Sequence, residues 1–469
     1  MRLPPAPPIA RAVAATPADR DRVLDLMRAG ALALVVLGHS SMGIVGWTDA
    51  GPVISTSLTV YWWAPWATWI LQIMPLFFVA GGAVNARSWG SGRDLYAPWL
   101  WRRVGRLMRP VWVYLVIMAP VSGLVSLLAP QGFAEPLLAL ATQLLWFIGV
   151  YVMVCALTPL AVRAHRVNPL LAPAALLAGV VLFDWLRLGV GLAPLGLINF
   201  VLVWALAAQL GMAFDDGLLA RWRGAAVAAL AISVNVLLVT YGPYPRSMVG
   251  MRGEAFSNMA PPSLALALHT VALAGLVGAA RPGLARLAAR RRVWTASTAV
   301  NLTAMTLYLW HLPVLIALYA GLHALGLDRP ADWTADGYPV PGPGFWPWTM
   351  AFLAVYLICV AGAVRLMWPA EVGRLPGWDR PARSAPAGGA APAGERGRSA
   401  AAGTGAALIG IGTLMLSATG LAGFPTRVAS FAGVPLNAVA AIGLMALGGL
   451  LVRRAGADRS RARVMATQP

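Results

Sequence analysis

The sequence predicts an all-α, polytopic integral membrane protein with about twelve transmembrane helices, and three observations predict it. Of 469 residues, 59% are hydrophobic and only 11% are charged, whereas a soluble domain carries about 25% charged residues. Mean hydropathy is +0.70. Apolar runs of about 20 residues, the length needed to cross a ~30 Å hydrocarbon core, recur along the whole chain.

Taken in order, these runs fall near residues 24–45, 62–84, 111–129, 137–161, 170–186, 194–213, 224–241, 262–280, 299–322, 347–368, 405–424 and 434–452. The fifth has the weakest signal, because Asp184 and Arg187 crowd its end. Arginine tests the count. The chain has no lysine, so all 36 cations are arginine. With the N-terminus in the cytoplasm, every arginine but Arg187, Arg246, Arg252, Arg329 and Arg427 falls on the inner side. One span more or fewer would invert that bias downstream, so the positive-inside rule supports twelve spans with both termini cytoplasmic. A multi-pass protein of the plasma membrane is expected. The net charge of +19 then belongs to topology and to anionic membrane lipids, and no nucleic-acid partner is implied.

The expected organisation has five parts: a disordered cytoplasmic tail (1–22), a ten-helix core (23–368), a flexible cytoplasmic linker (369–404), a two-helix transmembrane hairpin (405–452) and a basic cytoplasmic tail (453–469). The linker rests on "PARSAPAGGAAPAGERGRSAAAG", a flexible composition. The hairpin is rich in Gly and Ala and has no His, Asp or Glu in its spans, so it reads as a packing element without chemistry. The N-terminal segment lacks the apolar core of a signal peptide.

Several chemistries find no support. The two cysteines, Cys155 and Cys359, lie in separate apolar runs, which implies neither a disulfide framework nor a thiolate metal site. The five histidines are far apart, with no carboxylate pair at ligand spacing, so no metal is expected. Walker, GxSxG and Rossmann fingerprints are missing. No permanently bound cofactor is implied.

The first span, "RVLDLMRAGALALVVLGHS", carries Asp25, Arg28 and His39, and an ionisable group inside a membrane span is a functional candidate by default. Eleven residues make nearly three helical turns, so Arg28 and His39 lie within about 20° of one another, roughly 16 Å apart along the axis. Asp25 falls within about 40° of the same line. One turn from Arg28, it is expected to orient that guanidinium.

With Arg28, ten residues and then His39, the sequence resembles the membrane acyltransferase-3 family, whose members have a ten-helix core and an Arg-x10-His pattern in helix one. "MPLFFVAGG" (74–82) resembles the family's Pro-hydrophobic-Phe-Phe-x-x-Ser-Gly helix end, "WRRVGRLMRPVW" (101–112) its basic Arg-x-x-Arg loop, and "LYLWHLPV" (307–314) its Tyr-Leu-Trp-His-x-Pro helix. The resemblance spans about residues 20–368. Gly81 stands where the family has its serine, so no hydroxyl role is expected there. The segment "YPRSMVGMRGEAFSNMAPPSLALALH" is similar to actinobacterial-type members.

The resemblance implies transfer of an acyl group, commonly acetyl from acetyl-CoA, to a hydroxyl of an envelope glycan, a lipid or a small molecule. Acyl-CoA is then a donor substrate rather than a resident cofactor. On chemistry alone, His39 suits the base that removes the acceptor's proton or a transient acyl carrier; the residues do not separate the two. Arg28 suits a donor phosphate, against a snorkelling topological anchor. Arg102, Arg103, Arg106 and Arg109 suit donor phosphates or lipid headgroups equally, and Asn85 either lines the inner mouth or caps its helix. His311 and Tyr308, one turn apart, are expected to line the pore and meet the acceptor, the alternative for His311 being a packing histidine. His269 and His323 are placed toward the outer side, and His165 in a solvated inner loop. Asn199, Gln143 and Asn235 read as interhelical hydrogen bonds.

The rival reading is a secondary transporter or exporter of a glycan or metabolite, since twelve spans with both ends inside suits that class too. A transporter would show internal repeats and ionisable residues pairing in both halves. Neither is visible, and the intramembrane ionisable groups concentrate in the first and ninth spans.

Overall fold

The computed structural model describes residues 8–17, 19–90, 95–129, 133–375, 377–382, 394–431 and 434–457. Helices dominate: α1 (Ile9–Ala14), α2 (Arg22–Met42), α3 (Ala64–Leu71), α4 (Met74–Gly90), α5 (Tyr96–Leu128), α6 (Glu135–Gln143), α7 (Leu145–Val167) and α8 (Leu171–Leu188) come first. They are followed by α9 (Asn199–Asp215), α10 (Trp222–Tyr241), α11 (Leu264–Ala289), α12 (Arg291–Leu302), α13 (Ala304–Ala324), α14 (Phe345–Val372), α15 (Glu395–Thr419) and α16 (Ala438–Gly456). Three two-stranded ribbons, β1–β2 (Gly43–Thr48, Gly51–Thr56), β3–β4 (Ala331–Trp333, Pro339–Pro341) and β5–β6 (Val428–Phe431, Val434–Asn437), decorate the loops.

Among the described residues, twelve helical stretches are long and apolar enough to cross a membrane, one for each run read from the sequence. The chain is an all-α, multi-pass membrane protein. Two stretches are jointed: α3–α4 break at Gln72–Ile73 before Pro75, and α6–α7 break at Leu144. The ninth run also divides, because the helix around residue 299 belongs to the separate α12 and the span itself begins at Ala304.

Local chemistry sets several helix starts. The Asp21 carboxylate accepts from the Val23 and Leu24 amides at the start of α2, Ser263 Oγ from Leu266 at α11, and Asn437 Oδ1 from Ala440 at α16. Each satisfies amide groups that a helix leaves open.

The chain sorts into two compact units: residues 1–48, 53–84 and 160–366 form one, and residues 49–52, 85–159 and 367–469 the other. In the first, α2 packs with α11, α12 and α13. α4 and α9 touch backbone to backbone: a Cβ on Gly82 would come within 2.2 Å of the Ala208 carbonyl oxygen, and one on Gly211 within 2.0 Å of that of Val79. Small residues permit such close crossings between membrane helices. In the second unit, α15 and α16 pack against α5, with α15 also on α6. A Cβ on Gly456 would meet the Ala97 carbonyl at 2.4 Å, and one on Gly405 that of Gly448 at 2.6 Å.

Two sequence expectations are corrected. Residues 9–14 of the presumed disordered tail form α1, which packs on α12. The stretch 369–404 is folded at both ends: α14 continues to Val372, Trp378 Nε1 donates to the Gly105 carbonyl and α15 begins at Glu395. The two hairpin helices pack in one compact unit with α5 and α6. The reason is the backbone-close glycine contacts, which span counting does not see. Residues 1–7, 383–393 and 458–469, the remaining parts of the expected tails and linker, lie outside the described residues.

Candidate active site

α2 holds Arg28 in its second turn and His39 one turn from its end, as the spacing predicts. His39 meets His311 of α13: His39 Nδ1 lies 3.2 Å from His311 Nε2, with the rings stacked at 5.4 Å between centroids. His311 is fully buried, and its Nδ1 sits 2.8 Å from the Tyr308 carbonyl oxygen and 3.1 Å from that of Leu307.

These contacts determine the tautomers. Carbonyl oxygens only accept, so His311 Nδ1 carries the proton and donates it to the backbone. His311 Nε2 is then a lone pair, and His39 Nδ1 must be the N–H that donates to it. The lone pair of His39 therefore lies on Nε2, which has no hydrogen-bond partner among the described residues, on a side chain that is only half-buried. One imidazole is locked by backbone, and it locks the other with its basic nitrogen outward. Tyr308 packs beside this pair, its ring 6.2 Å from that of His311, and the Tyr356 hydroxyl donates to the His311 carbonyl at 3.3 Å.

The end of α2 is fixed by a residue that motif and span reading pass over. Arg329, 3% exposed, donates to the Gly43 carbonyl, to the Ser41 carbonyl at 2.8 Å and to Thr349 Oγ1, and lies over the Phe345 ring at 3.7 Å. A guanidinium at a helix C-terminus satisfies open carbonyls and opposes the negative dipole end. Burial pulls the Arg329 pKa below its ordinary value, with the Tyr319 hydroxyl opposing that shift. Its being one of the five exceptions to the expected arginine bias is the signal the sequence holds.

Asp25 does not orient Arg28. Both its carboxylate oxygens receive Arg20, Nε to Oδ2 at 2.6 Å and Nη2 to Oδ1 at 2.9 Å. Arg20 precedes the Asp21 cap, so its long side chain folds back over the first turn and reaches Asp25 first. That bond holds the Arg20 pKa above its ordinary value despite partial burial. Arg28 instead lies over Phe77, 5.2 Å from the ring centre, and its buried Nε has no partner among the described residues. It remains available for an anion.

In the second unit, the basic stretch is helical rather than a loop, running within α5. Arg103 Nε donates to Asn85 Oδ1 at 2.9 Å and lies over Trp99 at 4.1 Å, while Asn85 Nδ2 donates to Cys155 Sγ at 3.2 Å. Asn85 is thus a buried anchor for Arg103 rather than a helix cap. Arg109 is engaged by Asp379, with Nε to Oδ1 at 3.0 Å, and by the Glu371 carbonyl at 3.1 Å. Arg102 is half-buried and Arg106 exposed.

The remaining polar residues are structural. His269 Nε2 contacts the Gln72 carbonyl at 3.1 Å, at the α3–α4 break. His323 stacks on Trp47 and pairs with Asp328 at 2.9 Å. His165 is not solvated; it is buried and 2.9 Å from Asp216. Asn199 and Asn235 do bond between helices, to Asp184 and the Ala265 carbonyl, whereas the Gln143 side chain is exposed. Asp184 itself, 1% exposed, gathers Asn199, the Tyr244 hydroxyl and the Leu264 amide. No metal-binding group of His, Cys, Asp or Glu occurs among the described residues.

Compared with known families, residues 21–368 match the acyltransferase-3 family, described as an acyltransferase domain. No curated protein and no solved structure matches the chain.

Proposed function

We propose, for a chain that belongs to the acyltransferase-3 family, a membrane O-acyltransferase in which His39 Nε2 is the reacting nitrogen. Family membership places the chain among acyltransferases with non-aminoacyl acceptors rather than among transporters. The proposed donor is cytoplasmic acyl-CoA, foremost acetyl-CoA. The proposed acceptor is a hydroxyl of an envelope glycan, a lipid or a small molecule, reached from a plasma membrane with both termini of the chain in the cytoplasm. The arginine bias supports that sidedness.

The observation that carries the mechanism is the tautomer lock. His39 Nε2 takes the acceptor's hydroxyl proton as the oxygen attacks the thioester carbonyl. The tetrahedral adduct collapses, the carbon–sulfur bond breaks, and the CoA thiolate recovers the proton from His39. While His39 is doubly protonated, its Nδ1–H still donates to the His311 lone pair, so the charged form keeps its partner. His311 thereby positions the base much as a carboxylate does in a hydrolytic triad, but without a negative charge. Formation of an acyl-His39 intermediate would use the same Nε2.

Arg28, its Nε unpaired, is proposed to hold a donor phosphate, with the pantetheine arm running the roughly 16 Å of α2 toward His39. In the second unit, Arg102, Arg103 and Arg106 are proposed as phosphate contacts for an anionic donor, with Asn85 holding Arg103 and Asp379 holding Arg109. The test is acetyl transfer, read as CoA thiol release, by purified wild-type protein and His39→Ala. Turnover should vanish while insertion and monodispersity persist; near wild-type turnover would make His39 structural.

A further inference from the structure

The hairpin that the sequence reading left without chemistry ends beside a cationic cavity. Arg380 on the segment after α14, Arg453 and Arg454 in the last turn of α16, and Leu450 and Ala457 enclose about 270 Å³. Arg453 Nε is buried and has no partner among the described residues. Three guanidinium groups around one space repel one another, and a buried donor without a partner carries an uncompensated desolvation cost. An anion in the space relieves both. Among the described residues, the carboxylate next in sequence to Arg380, Asp379, is already committed: its Oδ1 receives Arg109 and its Oδ2 the Leu375 amide at 2.6 Å. Complementing the dipole at the end of α16 accounts for a basic residue there, but not for the arrival of Arg380 from another segment.

The outer face of α16 indicates the kind of anion. Val439, Gly443, Leu447 and Leu450 are exposed and follow one another at helical spacing, leading to Arg454. From Val439 to Leu450 this track rises roughly 16 Å, about half of the ~30 Å hydrocarbon core. It has the length of one leaflet's acyl chain and ends at the arginines. The cavity volume lies at the small end of the about 300–1,000 Å³ range of ligand sites, which suits a headgroup phosphate. Basic pockets between membrane helices take anionic headgroups.

We propose that the Arg380–Arg453–Arg454 cavity binds the phosphate of an anionic phospholipid whose acyl chain lies along the Val439–Leu450 face of α16. All three arginines lie outside the residues matched to the acyltransferase family.

The test uses the delipidated full chain in detergent, titrated with phosphatidylglycerol, phosphatidylcholine or acetyl-CoA and read by native mass spectrometry. Wild-type protein should retain phosphatidylglycerol in preference to phosphatidylcholine, and excess acetyl-CoA should not displace it. Arg380→Gln and Arg454→Gln, both at exposed positions, should each weaken phosphatidylglycerol binding about fivefold. Leu450→Trp, which fills the cavity without altering charge, should weaken it as well. Unchanged phosphatidylglycerol affinity in the arginine variants, or in Leu450→Trp, would overturn the site. Displacement of the lipid by acetyl-CoA from wild type would reassign the cavity to donor phosphates and overturn the lipid reading.

Discussion

The two compact units place functional polar groups in a membrane protein by opposite means. In the first, two imidazoles near the end of α2 satisfy each other and the backbone of α13, leaving one lone pair exposed and no fixed charge. In the second, guanidinium groups are distributed along α5 and α16, some anchored by Asn85 or Asp379 and others, Arg106 and Arg454, exposed. Desolvation accounts for the contrast. A neutral imidazole pair survives burial at modest cost, whereas an ionised group does so only when paired or near water. The proposed proton chemistry therefore falls to the neutral imidazole pair, and the proposed anion binding to arginines with an unpaired or exposed group, Arg28 of the first unit among them.

The largest break in that contrast should come from His39→Ala. It removes the one unengaged imidazole nitrogen of the pair, and acyl transfer should fall by at least the about 10²–10⁴-fold that general-base catalysis contributes. The Arg20–Asp25 and Arg329 contacts of α2 are untouched, but the buried His311 Nε2 loses its donor at a cost of about 1–3 kcal/mol, so thermal stability should fall modestly without loss of folding. Coincident loss of folding would indicate a structural histidine.

Next comes His311, where two substitutions separate positioning from packing. His311→Ala removes the acceptor for His39 Nδ1–H and should cost about 10²-fold in kcat, with little change in KM for acyl-CoA. His311→Gln keeps an oxygen able to accept that proton and should recover part of the loss. Equal damage from both would mean that α13 needs the ring itself and not its lone pair.

A third intervention strikes the second unit. Reading the hairpin as accessory, the sequence predicts that a chain ending at Pro381 stays active. The structure predicts otherwise, because removing α15 and α16 strips α5 of the helices packed closely at Gly456 and Ala97. Such a chain should lose thermal stability and most of its activity, measured on detergent-solubilised protein. Full activity would show that α5 holds its arginines without the hairpin.

The contrast also explains what was legible in the sequence. Twelve spans follow from length and hydropathy, which are local. The Arg28–His39 alignment follows from the 3.6-residue period alone. The partner of His39 is 272 residues away, and nothing in a local window joins the two. Span counting also stops where apolar residues thin out, so it missed the first turns of α5, a Trp- and Arg-rich stretch that helix formation carries back to Tyr96. Asp25 was assigned to the wrong arginine because one-turn spacing favoured Arg28, while Arg20 reaches it from outside the helix. Asp184 and Arg329 looked like flaws in spans or outliers in a charge count; each is a buried hub, recognisable only from the groups around it.

The smallest expected effects separate the arginines of α5 from one another. Arg103 is tied to Asn85, which is 4% exposed. Arg103→Ala would leave that amide oxygen unpaired, at a cost of about 1–3 kcal/mol, so stability and donor affinity should fall together. Arg106 is exposed, and its side chain loses nothing structural on truncation. If it contributes to donor phosphates, Arg106→Ala should raise the acyl-CoA dissociation constant about two- to fivefold at low salt, the size of an exposed ion pair of 0.5–1 kcal/mol. The difference should vanish near 1 M salt, where the Debye length is about 3 Å. Isothermal titration of both variants at two ionic strengths reads this directly. A salt-independent loss in Arg106→Ala would mean that its side chain packs rather than attracts, and unchanged affinity in both variants would leave the α5 arginines to topology and lipid alone.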